Sequence, residues 1–283
     1  MSVKEIESFL DINFQNLNKN YFLNNFNKYA NLCDNLNVLE VISFISFDQS
    51  LKKRIKSLIA KNISYPIFLI FFGFFTLTIF KFSLLPLLSD FSITFTIFLV
   101  NVIFYFSIIF FILIFLLTFL LFFTFSNPAY FILIYYKLYQ FRLFKTIELY
   151  YLSILSHLLI SFDKEGLSTQ QTFKLINKFK NNTIIANLAY FVSANLESGN
   201  SFNKSIEKMQ VSKNFKNILL LGIKSGRYQQ LLHEYQKKTV SNLKNEILFI
   251  SKVLSFTAYM YIAIIIVLLY KIISIPLEML NMM

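Results

Sequence analysis

Residues 91–136, FSITFTIFLVNVIFYFSIIFFILIFLLTFLLFFTFSNPAYFILIYY, contain no charged side chain. A hydrocarbon layer of about 30 Å is crossed by about 20 apolar helical residues, and this run is more than twice that. Proline disfavours helix in the residue before it, so Ser126-Asn127-Pro128 divides the stretch. The reading is one transmembrane helix at 93–125, longer than the bilayer and therefore tilted or protruding. Ala129–Tyr136 then opens the next element.

Two other stretches have the same character. Ser64–Leu88 is apolar except for Lys81, which places a transmembrane helix at 63–88. Pro66 falls where a first-turn proline is tolerated. Lys81 lies about 15 residues further on, ~23 Å at the helical rise, near the far interface where its ammonium can snorkel. Val253–Ile275 is uncharged apart from Lys271; this gives a third span at 251–275, expected to stop at Pro276, with a tail at 276–283. Three spans put the two ends of the chain on opposite sides.

The composition agrees. The 283 residues are 56% hydrophobic, 18% aromatic and 15% charged, with 36 Phe and a mean hydropathy of +0.57. Soluble domains carry about 25% charged residues, and a chain this apolar leaves more surface than a soluble monomer hides. Disordered chains lack such aromatic content. The single cysteine, Cys33, excludes an internal disulfide framework and reads as a small buried residue. Met1–Asn20 is polar, with no apolar core of a cleaved signal peptide.

Lysine and arginine placement sets the orientation. Residues 1–62 hold eight of them, residues 126–247 hold sixteen, and the connection 84–95 holds none. Both polar segments therefore belong in the cytoplasm of a multi-pass plasma-membrane protein, with the 84–95 turn and the C-terminus outside. The formal net charge of +12 matches an anionic inner leaflet. No nucleic-acid recognition signature accompanies it, so no direct nucleic-acid binding is expected.

The segment 129–250 reads as a cytoplasmic bundle of about six helices. Tyr139, Leu143, Ile147, Tyr150, Ile154 and Leu158 recur at three- and four-residue steps, one amphipathic face ending before Asp163. Ser168 with Gln171 forms a capping-box start for a helix bearing Phe173, Ile176 and Phe179. Asn182 caps a helix carrying Ile185, Leu188, Phe191 and Leu196, terminated by Gly199. Short helices follow over about 201–209 and 213–225, the latter ending at Gly226. From Arg227 no Gly or Pro intervenes before Pro276, which predicts one helix of nearly 48 residues entering the membrane directly. The fold class is an all-α membrane protein, with residues 1–62 a short cytoplasmic helical segment.

The turns of this segment resemble those of the type II secretion system F / type IV pilus platform family, most closely its competence pseudopilus (ComGB-type) members. Arg142-Leu143-Phe144-Lys145-Thr146 is similar to the helix opening the family's domain, and Glu165-Gly166-Leu167-Ser168 to its first glycine turn. Glu197-Ser198-Gly199-Asn200-Ser201-Phe202 and Gly222-Ile223-Lys224-Ser225-Gly226-Arg227 resemble the next two turns, and Leu269-Tyr270 with Ile275–Met279 the family's end. Ile63-Ser64-Tyr65-Pro66 also lies 191 residues before Leu254-Ser255-Phe256-Thr257, each following a basic helix. Residues 14–62 thus resemble the back half of the first of the family's two domain copies, a truncated copy here. The sequence departs from the family at Ile223, which stands where the third turn usually has Glu.

The resemblance implies a non-enzymatic platform, homo-oligomeric, whose cytoplasmic helices dock on a hexameric secretion-type ATPase while its spans receive pilin or pseudopilin subunits. The candidate partner-interaction residues are Gly166, Gly199, Gly222 and Gly226 at the turns, Lys224 and Arg227 as charges facing the motor, and Asn101 as the polar residue within a span. No phosphate-loop motif, H-E-x-x-H motif or cysteine cluster is present, so no cofactor, metal or nucleotide chemistry is expected. His157, on an apolar stripe, and His233 read as packing residues, and Asp163 and Glu165 as a solvated loop. A transporter or channel subunit is the alternative. It calls for charged residues at mid-membrane, and the spans offer chiefly Asn101, Ser and Thr.

Overall fold

The computed structural model describes residues 36–84, 86, 94–126, 142–178 and 183–282. No strand occurs among them. Helix α1 runs Val38–Ile79 and passes into a π-helical turn, Phe80–Leu84. It is followed by α2 (Thr94–Ser126), α3 (Arg142–Lys164), α4 (Thr169–Asn177), α5 (Thr183–Glu197), α6 (Phe202–Lys208), α7 (Lys213–Ser225) and α8 (Tyr228–Met282). Cys33, Pro128, Ala129–Tyr136, Tyr139, Phe179 and Asn182 lie outside the described residues, as does the chain before Leu36.

The chain divides into two compact units, one from the described parts of 1–54 and 128–244, the other from those of 55–127 and 245–283. In the first, α4 packs on α5, α5 on α6 and α6 on α7. The start of α4 is fixed by the expected capping box: Ser168 Oγ accepts the Gln171 N–H, and the Gln171 side chain accepts the Ser168 N–H. Ser201 caps α6 by accepting the Lys204 N–H. Phe44, Phe162, Phe173 and Phe215, from α1, α3, α4 and α7, are fully buried, each worth roughly 1.5–3 kcal/mol by transfer. The apolar stripe expected on α3 understates its burial. Leu152 through Ser156 are all buried, so α3 is enclosed nearly all round. Ser153 and Ser156 satisfy their hydroxyls by donating to the Tyr150 and Leu152 carbonyls of the same helix.

The second unit inverts the usual distribution of apolar side chains. Phe68 (63%), Phe75 (63%), Phe106 (69%) and Phe256 (67%) are exposed on its outside, which suits hydrocarbon rather than water as the surrounding solvent. Two helices are long and apolar enough to cross a membrane, in the ranges Leu39–Ser83 and Tyr228–Ser274. Helix α2 spans 33 residues without a charge, and its described apolar part, Ile97–Ile112, is shorter. The three helices meet in two small clusters, Leu77 with Phe104 and Ile265, and Phe80 with Val100 and Ile272.

Two local expectations, those at Pro66 and Pro276, are revised. Pro66 lies in the interior of α1 rather than in a first turn. A proline removes one backbone donor and so opens one helical rung; the helix continues past it, and Ser251 Oγ donates to the Asn62 carbonyl, 2.7 Å away. Pro276 likewise does not stop α8, which extends to Met282 over 55 residues; prolines are tolerated in such apolar helices. Lys81 is folded onto α2, its ammonium 4.0 Å from the Phe104 ring centroid and 4.1 Å from that of Tyr105. Phe80, Lys81 and Phe82, all in the π-helical turn, each reach α2, Phe82 edge-on to Phe104 at 5.9 Å.

Candidate functional site

In the first unit, the elbow between α7 and α8 forms one wall of a polar cleft of about 920 Å³. The elbow is made by Gly226, whose φ of 66° is left-handed, a conformation that costs other residues about 1–2 kcal/mol. Gly222 sits one turn earlier, inside α7 and buried, not at a helix end as its place in the sequence suggested. An added Cβ there would come within 3.1 Å of the Tyr228 Cα, so its smallness lets the first turn of α8 lie directly on α7.

Gly222, Ile223, Gly226 and Arg227 line this cleft together, joined by Gln229, Gln230 and His233 from α8. The facing wall comes from Glu40 and Ser43 on α1 and from His157, Ser161 and Asp163 on α3. Arg227 is exposed, and so is Lys224, which is not among the lining residues. Gly166 (φ 74°) and Gly199 (φ 82°) are left-handed terminators elsewhere in the unit, as their positions predict. Asn101, half-buried on α2, belongs to the second unit.

The chemistry of the cleft suits recognition. His157 stacks flat on Phe47, with centroids 4.5 Å apart and planes 3° from parallel. The Gln236 amide donates to His157 Nδ1 at 2.9 Å, which leaves the proton on Nε2, facing Ser43 Oγ at 3.4 Å. Burial lowers the pKa of this imidazole to about 4, so it stays neutral at physiological pH and is a poor proton acceptor there. Glu40 pairs through Oε1 with Lys164 at 2.9 Å, while its Oε2 is buried without a hydrogen-bond partner. Burial, with a smaller contribution from Asp163, holds the Tyr228 phenol far above its ordinary value. Among the described residues no group of three or more His, Cys, Asp or Glu side chains could hold a metal ion.

Several of these residues carried no signal in sequence. Ser43 and His157 are 114 positions apart, and no motif joins them. Glu148 is similar: it is buried, and it accepts the Ser212 backbone N–H at 2.6 Å just before α7, where the Ser212 hydroxyl itself makes no capping bond. Burial raises its pKa, opposed by that hydrogen bond.

Residues 155–276 match the family model described as Type II secretion system (T2SS), protein F. The matched segment holds the C-terminal part of α3 from Leu155, all of α4 to α7 and the apolar part of α8, and it supports the resemblance drawn from the glycine turns. Neither a curated protein nor a solved structure matches the chain.

Proposed function

We propose that this chain is a non-enzymatic plasma-membrane platform of a type II secretion or type IV pilus-like machine, of the kind that assembles a competence pseudopilus for DNA uptake. The observation that carries the reading is the protein F match over residues 155–276, which takes in both bundle helices and an apolar membrane-length helix. In this reading α1, α2 and α8 all cross the bilayer, residues 1–62 and 129–250 face the cytoplasm, and the tail at 276–283 lies outside.

A platform needs a motor contact and a filament contact. We assign the first to the turn surfaces, with Lys224 and Arg227 meeting an acidic face of a hexameric secretion-type ATPase. The second falls to the spans, which would receive pilin or pseudopilin helices, with the platform itself a homo-oligomer. The polar, neutral-histidine cleft beside Arg227 suits binding rather than turnover.

Two experiments test this. The double charge reversal Lys224→Glu/Arg227→Glu is expected to reduce co-purification with the secretion-type ATPase from the same gene cluster while protein levels hold; undiminished capture overturns the assignment of these two residues. In a Cys33→Ser background, a cysteine at position 200 is expected to resist a membrane-impermeant thiol reagent in intact cells and react after lysis. Labelling from outside overturns the platform topology.

A further inference from the structure

We propose that Pro66 makes a joint in α1 that the Ser251 hydroxyl closes from α8. The position four residues before Pro66 is Asn62. In an unbroken helix the amide of residue 66 would donate to the Asn62 carbonyl, and proline has no N–H to offer. The Ser251 Oγ fills that place at 2.7 Å, on a side chain only 6% exposed. The contact links two helices through one donor and one acceptor, 189 residues apart. The Asn62 side chain turns the other way, Nδ2 donating to the Leu58 carbonyl at 2.8 Å.

The repeat noted in the sequence supplies a control within the same molecule. Advancing 191 residues from Asn62 and Pro66 reaches Val253 and Thr257. There the backbone donor is present, and the Thr257 hydroxyl adds a second bond to the Val253 carbonyl at 3.0 Å. The second copy is therefore satisfied within its own helix, and the first depends on its neighbour. An unmet carbonyl is costly in hydrocarbon and cheap beside water. Asn62 follows Lys61 at the edge of the apolar run, where water can take over from Ser251. The joint thus has a closed state bonded to α8 and an open, hydrated one, and α1 opens at Asn62–Pro66 when α8 withdraws its hydroxyl.

The test uses the full chain in lipid nanodiscs and reads amide hydrogen exchange over residues 63–70, with residues 152–162 of α3 as an internal reference. Ser251→Ala is expected to speed exchange at 63–70 by roughly three- to tenfold, the range for losing one hydrogen bond, and to leave the reference unchanged. Ser251→Thr, which keeps the hydroxyl, is expected to behave as wild type. In a Pro66→Ala background, where the missing N–H returns, Ser251→Ala is expected to have no local effect. Unchanged exchange in Ser251→Ala overturns the proposal, as does an equal increase in both backgrounds or an increase shared by residues 152–162.

Discussion

Gly73 and Ile262 meet across α1 and α8 with no space between them for even one carbon atom: a Cβ on Gly73 would lie 2.8 Å from Ile262 Cδ1 and 2.9 Å from Tyr261 Cε1. Glycine here sets the separation of two apolar helices, the role small residues play where helices associate in lipid. Gly73→Leu is expected to lower the thermal stability of the detergent-purified chain, by roughly 1–3 kcal/mol for overpacking. Gly73→Ala should fall in between. A Leu variant as stable as wild type would show that the two helices do not approach this closely.

The elbow at Gly226 gives a second expectation. Gly222→Ala pushes against the Tyr228 backbone at 3.1 Å, and Gly226→Ala forces a side chain into the left-handed region at a cost of about 1–2 kcal/mol. Each is expected to destabilise the bundle, seen as a lower denaturation midpoint. Gly222→Ala should also increase protease cleavage near Arg227. Uncleaved, fully stable variants would contradict the close contact of α7 and α8.

Glu148 separates shape from charge. Glu148→Ala strands the Ser212 N–H at the start of α7, and an unmet buried donor costs about 1–3 kcal/mol. Glu148→Gln keeps an acceptor oxygen in the same place and is expected to lose little. Equal losses in the two variants, measured by chemical denaturation, would assign the effect to the carboxylate charge instead.

His157 makes stability pH-dependent. Its folded pKa, depressed by burial to about 4, lies below the ordinary 6.5. Between those values the unfolded chain holds a proton that the folded one does not. Stability is therefore full above about pH 6.5 and declines as the pH falls toward 4, by at most roughly 1.4 kcal/mol per pH unit. His157→Phe should flatten that slope in a denaturation series. An undiminished slope would assign it to other groups.

Asn101 tests the filament contact. Asn101→Leu is expected to impair pilin-dependent filament assembly at unchanged protein level, because a polar side chain in a span tends to face another helix. Normal filaments in that strain would leave Asn101 as an ordinary packing residue within the chain.

What the sequence disclosed was mostly local. Ser168 with Gln171, the terminators Gly166, Gly199 and Gly226, and the apolar lengths of α1 and α8 each act within a few turns, and the structure has them where residue spacing puts them. Both proline expectations were also local, and both fail because the helix runs on through the proline; at Pro66 the acceptor left open is met by Ser251, far along the chain. Gly222 and Gly226 read as one turn, yet one is packing space and the other a bend. The cleft was invisible because its walls come from α1, α3, α7 and α8, and pairwise contacts such as Ser43 with His157 leave no periodic trace.

The buried positions along the distal part of α8 include Ser251, Ala258, Ile265 and Ile272, spaced by sevens. Adding one amino acid there would swing every later side chain by about 100°, turning this buried line outward. Seven added residues would return it to within about 20°. Changes of length within this helix are thus disfavoured except in steps such as seven or eleven residues, and insertions that persist among relatives should collect in the connections instead.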